Sequence, residues 1–122
     1  MSSEIPSARL RDIIANSDRI HAHMQTVAPD AKLDAKTRDA IERCLERISE
    51  AARKLGPAMD ARDQSVPWRS IRGLGNILRH ECDIVDDANI EQIVRHELVT
   101  LRDVCVRELA AQRPDDEHRL DL

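Results

Sequence analysis

Apolar residues return along this chain at helical intervals, broken by short polar stretches that carry proline or glycine. Leu10, Ile13, Ile14, Ile20, Met24 and Val27 keep the three-to-four spacing of one buried helix face. Pro6 and Ser7 suit the start of that helix, and Pro29 marks its end. A second stripe, Ile41, Leu45, Ile48, Ala52 and Leu55, predicts a helix from about Asp34, and Gly56 with Pro57 supplies the stop. Residues 58–66 read as a loop or a short helical turn. Pro67 fits the first position of a third helix, which should run to about Asp83. A fourth begins near Asp86 or Asp87 and turns Ile90, Ile93, Val94, Leu98, Leu101, Val104, Cys105 and Leu109 inward. The polar end, "QRPDDEHRLDL", is expected to fray. Amphipathic helices with short connections predict an all-α fold, an antiparallel bundle of four to five helices. Residues 1–112 would form the domain and 113–122 a polar C-terminal tail.

Composition narrows the picture in the same direction. At 122 residues the chain has room for one core. It contains no Phe, no Tyr and a single Trp, so that core must be built from Leu, Ile, Val, Ala and Met. Sheets draw on aromatic and β-branched residues, and this inventory favours helices. Cys44, Cys82 and Cys105 are odd in number and widely spaced, which fits reduced small hydrophobes better than a disulfide frame or a zinc site. No apolar run approaches the roughly 20 residues of a membrane span, and no signal-peptide pattern opens the chain, so a cytoplasmic location is expected. The net charge of −4 argues against broad, nonspecific adhesion to nucleic acid, while leaving room for one local basic site.

That local site is "PWRSIRGLGNILRHECD", residues 67–83. At about 100° per residue, Arg69, Arg72, Asn76 and His80 fall within an arc of roughly 80°, with Arg79 beside it. Ile71, Leu74 and Leu78 point elsewhere. A solvated helix face normally mixes signs to gain i,i+4 pairs, whereas this one gathers cations, an imidazole and a carboxamide. Such a face suits an anion, and phosphate is the obvious one. Gly73 and Gly75 each cost about 1 kcal/mol in a helix relative to Ala. They imply close approach to the backbone, either by a ligand or another helix, or by tight packing inside the bundle.

These residues carry a family likeness. "PWRSIRGLGNILRHECDIVDD", preceded by "AIERCLERISEAARKL", resembles the HepT-like toxins of the HEPN superfamily, and the similarity extends from "RLRDIIANSDRI" to about Leu109. The resemblance implies an all-α homodimer with its polar helix lining a cleft between protomers. It further implies a metal-independent endoribonuclease without cofactor, the toxin of a type II/VII-like toxin–antitoxin system. RNA would be its substrate, and an MntA-type nucleotidyltransferase antitoxin its partner. The family motif is Arg-Asn-x-x-x-His, often followed by x-Tyr; Asn76 and His80 match it. Two positions depart from it, Gly75 standing for the arginine and Cys82 for the tyrosine that the antitoxin modifies with AMP. Cys82 cannot be modified as a tyrosine would be, so neutralisation here would need simple binding or another site.

The residues make chemical sense for RNA cleavage. The ribose 2′-hydroxyl is a built-in nucleophile, and a histidine titrates near neutrality and serves as general base or acid. His80 takes that role, Asn76 orients the substrate or the imidazole, and an arginine steadies charge on the phosphorus oxygens. Arg72 is the favoured arginine because it shares the Asn76–His80 arc; Arg79, Arg69 and Glu50 are auxiliary candidates. The competing expectation is a noncatalytic HEPN module that binds a nucleotide or a nucleotidyltransferase partner. His21 and His23, two apart, face different ways and make a poor metal pair. Trp68 reads as a packing anchor. Arg43 and Arg47 alternate with Glu42, Glu46 and Glu50 in ordinary i,i+4 support.

Overall fold

The computed structural model describes residues 5–28, 31–80 and 87–120, with 87 and 113–120 described by backbone alone. Every regular element among the described residues is helical: α1 (Ser7–Met24), α2 (Ala35–Leu55), α3 (Ala58–Arg62), α4 (Trp68–His80), α5 (Asp87–Gln92), a π-turn (Ile93–Glu97) and α6 (Leu98–Leu120). Helix α2 packs against both α1 and α4, and α6 packs against α1. The core is aliphatic as its composition requires: Leu10, Ile13, Ile20, Ile41, Leu45, Ile48, Ile90 and Leu101 are almost wholly excluded from solvent. Cys44 and Cys105 are buried within it as free thiols, and burial pushes the Cys105 thiol up to about 12. Cys82 lies outside the described residues.

The helix ends follow local chemistry. The Asp34 carboxylate accepts the Thr37 N–H at 2.7 Å and caps α2, a bond that holds its pKa below the usual carboxylate range. Gly56 closes α2 with φ +74° and ψ −167°, a combination that demands glycine. The stretch 58–66 contains the short helix α3, whose Met59 is buried. Behind it Ser65 donates its backbone N–H to Asp63 Oδ1 at 2.9 Å, and the Ser65 hydroxyl donates to the same oxygen. The Trp68 indole N–H donates to the Asp63 carbonyl at 2.9 Å, and its ring is buried, so this Trp anchors the entry to α4.

Two expectations meet a different backbone. The fourth helix is interrupted by the π-turn at Ile93–Glu97. One extra residue in a turn rotates what precedes it by about 100°, and here Asn89, Gln92 and Ile93 come to face α4. Together with Leu45, Ile48, Leu74 and Ile77 they enclose a mostly apolar cavity of about 360 Å³. The C-terminal stretch expected to fray is helical in its backbone as far as Leu120. The end of α4 expected near Asp83 lies outside the described residues.

Candidate active site on helix α4

Helix α4 is amphipathic around its whole circumference. Trp68, Ile71, Gly75 and Leu78 are buried against the bundle, while Arg69, Gly73, Asn76, Ile77, Arg79 and His80 are exposed. Arg69, Asn76 and His80 therefore occupy one open face, as their register requires. Arg72 is set apart. Its guanidinium forms a two-pronged pair with Asp60 of α3, Nη1 to Oδ1 at 2.8 Å and Nη2 to Oδ2 at 2.9 Å. The Arg72 hydrogen bonds hold the Asp60 carboxyl below its usual range, and in turn raise the Arg72 pKa. The fork with which Arg72 would grip a phosphate is already filled by a carboxylate.

The two glycines of α4 separate into different roles. Gly75 is the contact point with α2: its N–H donates to Ser49 Oγ at 3.0 Å, and the Ser49 hydroxyl donates to the Arg72 carbonyl at 3.0 Å. A β-carbon on Gly75 would lie 3.1 Å from Ser49 Oγ and 3.3 Å from Arg79 Nη1. Close packing inside the bundle thus accounts for Gly75. Gly73 is exposed, and a β-carbon there would meet nothing within 4 Å.

Glu50 sits elsewhere. It lines a groove of about 250 Å³ between α1 and α2 together with Arg9, Asp12, Asn16 and Arg47. Asn16 donates to the Asp12 carbonyl at 2.9 Å, and its Oδ1 is buried without a partner among the described residues. His23 lines the continuation of that groove, while the His21 ring is hydrogen-bonded to Gln25 at 2.9 Å. Neither of the grooves lined by these histidines includes an α4 residue. The residues missed by periodicity are Ser49 and Asp60. Ser49 had one legible signal, a small hydroxyl residue beside Ile48 in the inward stripe of α2; Asp60 had none, because its helix was too short to leave a pattern.

With this geometry in view, the family model described as "Ribonuclease HepT-like" matches residues 9–108. The chain belongs to the HepT-like ribonuclease family. No curated protein and no solved structure matches it significantly. Membership agrees with the helical fold and with the resemblance carried by Asn76 and His80, and it makes RNA cleavage the chemistry of the family. The HepT-like match spans nearly all of α1, the whole of α2 and α4, and about the first half of α6, so the α4 face lies well within it. Among the described residues no helix is long and apolar enough to cross a membrane.

Proposed function

We propose that this chain is an endoribonuclease toxin acting at the α4 face, with His80 as general acid and base. The observation that carries this is the shared exposure of Asn76 and His80 on one turn-spaced face of α4, in a chain of the HepT-like family. The ribose 2′-oxygen attacks the adjacent phosphorus while its proton passes to an imidazole. The P–O5′ bond breaks, and a proton returns to the departing O5′ oxygen. The products are a 2′,3′-cyclic phosphate and a free 5′-hydroxyl. No step needs a metal or a cofactor. In a homodimer two His80 side chains divide the base and acid roles across a cleft. Asn76 orients the phosphate or the imidazole, and an α4 guanidinium neutralises charge on the nonbridging oxygens.

The partner that fits this reading is an MntA-type nucleotidyltransferase antitoxin in the cytoplasm, in a type II/VII-like system. With Cys82 at the tyrosine position, silencing proceeds through binding or through modification at another residue. A second reading, a noncatalytic HEPN module for a nucleotide or a nucleotidyltransferase, is favoured by one observation: Arg72 is already engaged by Asp60.

Expression of wild type and of His80→Ala separates the two, combined with cleavage of RNA by nuclease-free protein. The expected result is toxicity and cleavage by wild type, unchanged by chelator, with terminal cyclic phosphate. His80→Ala loses about 10²-fold or more in rate. Intact RNA with wild type, or toxicity unchanged in His80→Ala, excludes the proposal.

A further inference from the structure

The arginines of α4 differ in what holds them, and the difference selects one. Arg72 is half-buried with its fork filled by Asp60. Arg69 is exposed, but eleven residues separate it from His80, about 16 Å along the helix axis. One phosphate cannot easily bridge that distance. Arg79 is exposed, lies about 60° around the helix from Asn76 and about 100° from His80, and forms no ion pair among the described residues. Its side chain runs back one turn, so that Nη1 lies 3.3 Å from where a β-carbon of residue 75 would stand. A methyl at residue 75 would press that Nη1 aside by a few tenths of an ångström. Asn76, three residues before Arg79, is its surface neighbour, with β-carbons about 5–6 Å apart.

We infer that Arg79 supplies the phosphate-gripping guanidinium of the α4 site, lying over the bare backbone of Gly75 beside Asn76. Gly75 then has two functions. It seats α4 on Ser49, and it leaves room for the Arg79 guanidinium against its backbone, where the exposed arginine forms no ion pair among the described residues. Ser49 fixes that backbone from beneath, since its hydroxyl bonds both the Gly75 N–H and the Arg72 carbonyl. Arg72 becomes a positioning residue that ties α3 to α4 through Asp60. The inference rests on the ribonuclease reading and assigns the cation within it.

The test uses the full chain on total RNA and on an oligonucleotide that wild type cuts, with binding followed on its 2′-O-methyl analogue. Arg79→Ala lowers kcat by about 10²-fold, the usual loss for one donor to a developing oxyanion. Added guanidinium salt, well below denaturing concentrations, restores part of the Arg79→Ala rate and none of the His80→Ala rate. Arg79→Lys falls between, keeping charge without the planar fork. Gly75→Ala retains every polar side chain of the face yet lowers kcat several-fold, because the new methyl crowds Ser49 and shifts the Arg79 guanidinium by a few tenths of an ångström. Helical circular dichroism and melting confirm that each variant folds. Cleavage lost in His80→Ala but kept within twofold in Arg79→Ala overturns the assignment alone. So does a guanidinium-rescued loss in Arg72→Ala with Arg79→Ala unaffected. No cleavage by wild type removes the ribonuclease reading and the assignment with it.

Discussion

At the residue scale, three glycines in similar helical company have three different reasons to be glycine. Gly56 needs its backbone: φ +74° with ψ −167° lies where a side chain is strained by about 1–3 kcal/mol. Gly75 needs the absence of a side chain, because Ser49 and Arg79 fill the space. Gly73 needs neither within the chain. It is exposed in mid-helix with open space around it, so alanine there gains helix propensity and meets no clash. The expected outcome in urea unfolding is opposite in sign at the two solvent-side positions. Gly56→Ala lowers stability by about 1–3 kcal/mol, and Gly73→Ala raises it by about 1 kcal/mol. A destabilised Gly73→Ala would mean that α4 is packed differently from the geometry described.

At the scale of elements, the long helices were legible because each must bury a continuous stripe, and that need writes a period into the sequence. The Ile41, Leu45, Ile48, Ala52, Leu55 stripe and the Asn76–His80 register both survive intact for this reason. Contacts between elements leave no such period. The Asp60–Arg72 pair joins a five-residue helix to α4 across twelve positions, and the π-turn at Ile93–Glu97 substitutes one helical hydrogen-bond pattern for another without a breaker residue. Hence the face was readable, whereas the engagement of Arg72 was not. The Ser49 hydroxyl is the element-level device with the clearest consequence. It is 2% exposed and bonds both a donor and an acceptor of the α4 backbone. Ser49→Ala removes both bonds while the two backbone groups keep their partners within α4, and should cost about 0.5–1.5 kcal/mol. Urea denaturation measures the loss. Amide exchange of Gly75 accelerates with it if α4 is seated through this hydroxyl; an unchanged Gly75 exchange rate would assign the seating to the surrounding apolar contacts instead.

At the scale of the whole molecule, charge decides how RNA is held. Acids outnumber bases, 23 to 19, and many arginines are spent internally: Arg9 on Asp12, Arg38 on Glu42, Arg43 on Glu46, Arg62 on Glu108, Arg102 on Asp18. Among the described residues, Arg69 and Arg79 are the exposed α4 arginines without an ion pair, and Arg19 and Arg47 in the separate α1–α2 groove have none either. A protein of this kind should grip few phosphates. Each neutralised phosphate of a single strand contributes about −0.7 to the slope of log K against log salt. Two arginines on one α4 face therefore give a slope of about −1.4, and two such faces meeting one strand in a homodimer give about −2.8. Fluorescence anisotropy with a 2′-O-methyl oligonucleotide over a salt series reads this directly, and Arg79→Ala flattens the slope by about 0.7 per face. A slope steeper than about −4 requires more contacts than α4 offers. It would place the α1–α2 groove, with Arg19 and Arg47, on the path of the RNA and refute a site confined to α4.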